Sequence, residues 1–533
     1  MSNSQPQETD TVPDTIAAID LGSNSFHLIV ARLVNGHLQI VDRLREMVQL
    51  GAGLDKDHWL SEEAQNRALD CLARFGQRLR PMPGSRVRVV GTNTLRRARN
   101  RKEFLAQAET LLGHPVEIIS GVEEARLIYL GVAHSTAVTE GRRLVLDIGG
   151  GSTELIIGER FEPLYLESLS VGCVSLTLDH FTSGKRETEM KEADLRAAEL
   201  AVNLELEPIA LAYRELGWDH AIGASGTIRA LRDVVHAEGW CQEGISLDSL
   251  RRLRGALLET GKSSAMAERW RLEPARARVL TGGFAVLHSL CEALDIEHLQ
   301  VSDGALREGV IYDLIGRIRH EDVRHRTVAM LSQRYGADNA QAERVSVTAR
   351  QLLGQIAPHW GLENEACGDA LEWAARLHEI GLAIAHNNYH RHGAYILEHA
   401  DLPGFSRSDQ AVLAALVRGH RRKFPRDVFA SLPKGATTFA RRLCVLLRLA
   451  VLLHRSRSRQ PLPALQLIAS GQNLKLSFPE EWLAGHPLTR ADLEREAQYL
   501  KKAGFQLDIL EAGGEGEASV LAADESVEWT LTS

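Results

Sequence analysis

The sequence predicts an α/β protein with two related lobes, followed by an all-helical domain and a small mixed α/β ending. Three observations carry that prediction. From Ile16 onward, short apolar runs alternate with amphipathic stretches, as when strands alternate with helices. A strand, an Asp, a Gly-rich turn and a second strand occur in IAAIDLGSNSFHLIV and again in LVLDIGGGSTELIIG, about 127 residues later, which points to a duplicated unit. From His320 to about Gln460 the strand signal fades and helical periodicity takes over, as in AERVSVTARQLLGQIA and LEWAARLHEIGLAIA.

The first lobe is expected over 14–137. It opens as antiparallel β structure, with Asn35-Gly36 as a hairpin turn. A helix over about 61–79 leads to the strand VRVVG, a helix over about 102–112, the strand VEIIS and a helix beginning near Glu123. The second lobe is expected over 138–318 and the helical domain over 319–460. In the ending, 461–533, the strand-like LQLIAS, LKLSFP and FQLDILEA surround the charged helix RADLEREAQYLKK.

The 533 residues include 62 Lys and Arg against 70 Asp and Glu, for a net charge of −8, which disfavours a nucleic-acid coat if the charge is evenly spread. Six cysteines without a CxxC pair indicate neither a disulfide scaffold nor a thiolate zinc site, and fit a reduced, cytoplasmic setting. The polar, acidic start MSNSQPQETDTVPD is unlike a signal peptide. The most apolar run, 445–453, is interrupted by Arg448 and too short to span a bilayer. A soluble chain is expected, with peripheral membrane association left open.

The two Gly-rich turns are the first candidates for chemistry. Glycines let backbone N–H groups approach phosphate oxygens, and Ser, Thr and Asn add donors. The candidates are Ser23, Asn24 and Ser25 in the first turn and Gly149, Gly150, Gly151, Ser152 and Thr153 in the second. Asp20 and Asp147 each end a strand, where a carboxylate can hold Mg²⁺ directly or through water. One such loop is ordinary turn chemistry. Two in one chain are a paired phosphate site.

These paired loops resemble the phosphate-binding motifs of the actin, sugar-kinase and heat-shock-ATPase superfamily. More closely, DLGSNSFH, SGVEEARLIYLGV, DIGGGSTEL, GASGT and SDGALREGV, in that order, resemble the exopolyphosphatase and guanosine pentaphosphate phosphatase family. That resemblance implies two actin-like (ribonuclease H-like) lobes around a cleft, phosphoanhydride hydrolysis with Mg²⁺, and a homodimer.

In SGVEEAR, Ser120 and Glu123 fit a capping box, and Glu123 can also pair with Arg126. Glu124 has only Leu127 and Ile128 at its helical neighbours, so its carboxylate leans inward, where burial raises its pKa toward that of a general base. The resemblance independently places the catalytic glutamate here. Asp147 and Glu154, with Asp20 less surely, are expected to position Mg²⁺. Arg96 is a candidate for further charge on the phosphate, with solvation as the alternative. GASGT and SDGALR suit either anion binding at a helix start or lobe packing.

By segment, residues 1–316 carry 35 basic and 45 acidic side chains, 317–460 carry 22 and 13, and 461–533 carry 5 and 12. The even-spread condition fails, and the helical domain is basic. Its Arg418, His420, Arg421, Arg422 and Lys423, with His378, form a candidate path for inorganic polyphosphate, whose binding should depend steeply on salt. Within LHEIG the region resembles an HD-type metal phosphohydrolase core, but Glu379 replaces the expected Asp, which argues against metal there.

Two enzymatic readings share this site: an exopolyphosphatase acting processively, and a phosphatase converting guanosine pentaphosphate to the tetraphosphate. The full-glycine DIGGGSTEL and Asp303 in SDGALREG resemble the exopolyphosphatase branch of the family more closely, and that resemblance leans toward polyphosphate. A non-enzymatic sensor of polyphosphate or an alarmone is the third reading, and nucleic acid is not expected as a partner.

Overall fold

A computed structural model describes residues 15–34, 37–136, 141–183, 186–187, 190–318, 322–433 and 435–511. The expected turn at Asn35-Gly36 lies outside them. Two compact units result: one runs to Thr327 and takes in Asp401–Asp409, and the other comprises Val328–Ala400 and the chain from Gln410 onward.

The first unit holds two sheets. Strands β1 (Thr15–Leu21), β2 (Phe26–Val34), β3 (His37–Glu46), β4 (Val87–Gly91) and β5 (Val116–Ile118) are ordered β3-β2-β1-β4-β5. The second sheet contains β6 (Arg142–Ile148), β7 (Thr153–Glu159), β8 (Glu162–Leu169), β9 (His220–Ala224), β10 (Ile245–Ser246) and β11 (His298–Val301). Its order is β10-β11-β9-β6-β7-β8. In each sheet an antiparallel three-stranded meander is extended by two parallel strands, and β10 adds an antiparallel edge to the second. The duplication read from the two Gly-rich turns therefore extends to whole lobes. β4 is buried along its length, as strands covered on both faces must be.

Equivalent helices, Gly121–Ser135 after β5 and Leu306–Ile318 after β11, pack against each other. A Cβ on Gly131 would meet the Ala305 carbonyl, and one on Gly309 would fall on the Leu127 carbonyl. Only glycine permits backbones this close.

Around this crossing runs a buried ionic network. Arg88 on β4 reaches Glu117 (3.1 Å) on β5 and Asp313 (2.7 Å) on the second helix. Arg126 pairs with Glu123 (2.8 Å) and Asp313, and Arg317 with Asp313 (2.9 Å). Gly404 completes it, its N–H donating to Glu123 (2.7 Å) and its carbonyl accepting from Arg317 (2.9 Å). Three guanidinium groups hold Asp313 far below the usual carboxylate range despite its burial.

In the second unit, helices including Asn339–Trp360, Glu365–Leu377, Tyr389–His399 and Ala436–Leu453 match the expected helical region. The ending forms strands β12 (Gln466–Ser470), β13 (Asn473–Phe478) and β14 (Gln506–Glu511) with the helix Pro487–Lys502. It belongs to the same unit as the helices: Gln355 donates to the Leu465 carbonyl and accepts from the Leu467 N–H, and the Trp360 indole donates to the Gly471 carbonyl. Residues 512–533 of the expected ending lie outside the described residues. Among the described residues no helix is long and apolar enough to cross a membrane.

Candidate active site

Each Gly-rich turn is a four-residue connection closing a hairpin. Across the first, Asp20 faces His27 and Leu21 faces Phe26; across the second, Asp147 faces Glu154 and Ile148 faces Thr153. Asp20 and Asp147 thus hold equivalent positions, as do His27 and Glu154. The loops meet across the cleft. A Cβ on Gly150 would lie 2.8 Å from the Ser23 Cβ and 3.6 Å from the Asn24 nitrogen, so this glycine is what lets them approach.

The cavity between the lobes is about 130 Å³. Of the residues expected there, Asp20, Ser23, Asn24, Ser25, Glu124, Asp147, Gly149, Gly150 and Ser152 line it. Four others do not. The Thr153 hydroxyl points away and donates to the Val171 carbonyl (2.7 Å). Gly151 turns toward Asn93. Glu154 projects from β7 behind the loop, where Ser168 donates to it (2.9 Å). Arg96, half-buried, does not line the cavity: its Nη1 donates to Glu124 Oε2 (3.1 Å) and to the Ile119 carbonyl (2.9 Å).

Glu124 sits where the capping argument put it. The Ser120 hydroxyl accepts from the Glu123 N–H (3.1 Å) and starts the helix, while Glu123, fully buried, is consumed by the ionic network. That leaves the next carboxylate to face the cavity. Burial raises the Glu124 pKa, and Arg96 pulls against the rise.

The electrostatics of the cavity are unbalanced in two directions. Burial and the nearby Glu124 push Asp20 up to about 8, and the same two causes push Asp147 up to about 7. Glu154 is raised well above its ordinary value, first by burial and then by Glu124 and Asp147. Asp20 Oδ1 is buried without a hydrogen-bond partner. Facing these carboxylates are Arg45, Arg229, Arg276 and Arg307. Burial lowers the pKa of Arg229 and of Arg276, with other arginines adding to the effect. His27, held between Ser25 (2.7 Å) and Arg307 (3.0 Å), is driven by burial and Arg307 down to about 3. A cation on one side and phosphate oxygens on the other would relieve both strains.

Among the described residues no three His, Cys, Asp or Glu side chains converge as a ready metal cage. Mg²⁺ keeps several waters and takes one or two carboxylates plus phosphate oxygens. The orphaned Asp20 oxygen and the strained Asp147 fit such an ion better than Glu154, whose carboxylate is engaged by Ser168.

The arginines and His27 were not singled out from sequence, although Arg307 stands in SDGALR. Both motifs left open between anion binding and packing contribute to the wall, through Ser225, Gly226, Thr227 and Ala305 to Arg307. Ser225 has φ +83°, a strained value for a residue with a side chain.

The residues of the expected basic path differ in exposure, Arg422 and Lys423 being exposed. His378 and His420 are buried, each with Nδ1 bonded to a carbonyl of its own chain segment, at Ala375 and Val417 (both 2.6 Å). They line a cavity of about 510 Å³ with Arg421 and Arg422, whereas Arg418 and Lys423 lie outside it. Glu379, in the place of the HD aspartate, accepts from Arg457 (2.6 Å).

Residues 29–318 match the Ppx/GppA phosphatase family, and residues 323–497 match domain III of the Ppx/GppA phosphatases. A guanosine-5′-triphosphate,3′-diphosphate pyrophosphatase of Vibrio cholerae is 42% identical over 497 residues, covering 92% of this chain and 97% of that protein. Its namesake in Aeromonas hydrophila is 42% identical over 498 residues, covering 93% and 99%. A crystal structure of an exopolyphosphatase from Cytophaga hutchinsonii superposes with a TM-score of 0.51 at 28% identity, covering 57% of this chain and 98% of that one. The likeness to that structure extends to the fold, two actin-like lobes.

Proposed function

The chain belongs to the Ppx/GppA phosphatase family, hydrolases of phosphoanhydride bonds, and we propose that its substrate is guanosine pentaphosphate, from which it removes the terminal 5′ phosphoryl group. The observation that carries this reading is the 42% identity, along almost the full length, to proteins named for that nucleotide. The sequence lean toward polyphosphate rested on DIGGGSTEL and Asp303. That lean was a likeness to one branch of the family, and the identity to proteins named for the nucleotide outweighs it.

In this reading the loops 22–25 and 149–152 present backbone N–H groups and hydroxyls to the phosphates, and the arginines of the opposite wall neutralise the non-reacting oxygens. Glu124 accepts a proton from the attacking water. Arg96 holds its carboxylate in place and pulls its pKa back down against the rise that burial causes. Asp20 and Asp147 would hold Mg²⁺, which supplies charge neutralisation of the departing phosphate oxygens. A cytoplasmic setting and a homodimer belong to the same proposal.

Exopolyphosphatase activity is the second reading, favoured by the likeness to the Cytophaga hutchinsonii structure. Phosphate release with Mg²⁺, measured in parallel on guanosine pentaphosphate and on long-chain polyphosphate, separates the two. A kcat/KM at least tenfold higher on the nucleotide supports the proposal, and the reverse ratio refutes it.

A further inference from the structure

A second cavity, of about 250 Å³, adjoins the catalytic cleft and has a different chemistry. Its walls include Val174, Phe181, Met190, Met266 and Val279, all buried apolar side chains. Its polar lining includes Asn24, Gln49 and Arg278, with the hydroxyl residues Thr177, Thr182, Ser263 and Thr281.

The two cavities are continuous in the chain at three places. Asn24 lines both. Cys173 faces the cleft and Val174 the second cavity; Arg276 faces the cleft, and Ala275 and Arg278 the second cavity. The Gln49 N–H donates to the Asn24 carbonyl (2.8 Å), and Gln49 is held at φ +52°. This strained residue is therefore fixed against the phosphate loop itself.

An inorganic phosphate chain has no apolar surface and would gain nothing from such walls. A nucleobase gains by burying its ring faces, and methionine sulfur against an aromatic ring adds to the gain. A volume of about 250 Å³ lies below the roughly 300–1,000 Å³ of pockets that enclose a whole drug-sized ligand, and so suits one ring system. The amides of Asn24 and Gln49 each offer both a donor and an acceptor, as the edge of guanine requires.

We propose that this cavity is the base-binding pocket of the enzyme, taking the guanine of a substrate whose 5′ phosphates lie in the adjoining cleft. The assignment rests on the nucleotide reading given above. It makes Asn24 and Gln49 specificity-determining residues.

The test fills the pocket without touching the phosphate site. Ala275→Trp and Ala52→Trp place indoles at the rim, from positions that are half-buried and exposed respectively. Steady-state kinetics are measured for wild type and both variants on guanosine pentaphosphate and on tripolyphosphate, which has the phosphates but no base. The expected result is a fall of at least tenfold in the ratio of the two kcat/KM values, nucleotide over tripolyphosphate. If Ala275→Trp misfolds, Ala52→Trp carries the test alone. A wild type that prefers the nucleotide, with variants that leave the ratio unmoved, overturns the pocket while sparing the substrate reading. A wild type that cleaves tripolyphosphate but not the nucleotide overturns both.

Discussion

Arg96 Nη1 donates to Glu124 Oε2 at 3.1 Å, so the carboxylate proposed to take the water's proton is held by a residue from the other side of β5. The same guanidinium also bonds the Ile119 carbonyl, which fixes it to the backbone. Removing this charge leaves Glu124 with burial alone. In Arg96→Ala the Glu124 pKa rises, a smaller fraction is ionised at neutral pH, and the acid limb of the kcat/KM profile moves to higher pH. Arg96→Lys keeps the charge and should move it less. A pH–rate profile for the three proteins checks both statements.

Glu124→Gln keeps the shape of the side chain and removes its basicity. Positioned general bases contribute about 10²–10⁴ in rate. The variant should therefore lose at least about 100-fold in kcat with little change in KM. Its melting temperature should not fall, because a buried carboxylate with a raised pKa is being neutralised.

Stability should depend on pH and on Mg²⁺ through Asp20 and Asp147. Folding raises their pKa values from 3.8 to about 8 and about 7, so the folded protein binds these protons more tightly than the unfolded chain. Their contribution is complete below about pH 4 and is lost as the pH climbs through about 7 to 8. Without metal, the melting temperature should decline over that window. Mg²⁺ needs the ionised forms, so its stabilising effect should be larger at pH 8 than at pH 6, and Asp20→Asn should abolish most of it. Thermal scans at the two pH values with and without Mg²⁺ decide this.

Gly309→Ala tests the helix crossing. In an exposed helix, alanine stabilises relative to glycine by about 0.5–1 kcal/mol. Here the added methyl would fall on the Leu127 carbonyl, and overpacking of this kind costs about 1–3 kcal/mol. Denaturant unfolding should show a loss, opposite in sign to helix propensity.

Asp313→Ala leaves Arg88, Arg126 and Arg317 facing one another without their shared carboxylate. Breaking a buried pair by removing one partner costs about 3–5 kcal/mol. The loss should appear as a lower midpoint in urea at unchanged slope.

The parts of the site that could be read from sequence are those encoded within a few consecutive residues. A strand, Asp and Gly-rich turn form a local signal, and so do Ser120 and the two glutamates, because capping decides which of the two is occupied. The four arginines of the opposite wall come from four separate segments, and no spacing rule links Arg45 to Arg276. Arg96 in LRRAR could be read as a phosphate ligand or as a solvated charge but not as the partner of Glu124, which lies 28 residues away. Glu154 and Thr153 illustrate the limit of loop motifs. Strand alternation turns Thr153 into the core, and the ladder places Glu154 opposite Asp147 without bringing its carboxylate to the cavity wall. In the second unit, counting charges identified a basic region correctly but could not reveal that His378 and His420 are interior.

The equivalence of His27 and Glu154 has a consequence for the substrate. A cleft made of two identical halves would accept a phosphate chain in either orientation, since its rotation-related loops would offer the same contacts from both ends. At this one ladder position the halves differ in charge preference: an imidazole bonded to Ser25 and Arg307 on one side, a carboxylate bonded to Ser168 on the other. His27 lines the cavity and Glu154 does not, so the duplicated scaffold presents unlike groups from its two halves, and a bound phosphate chain would meet them unequally.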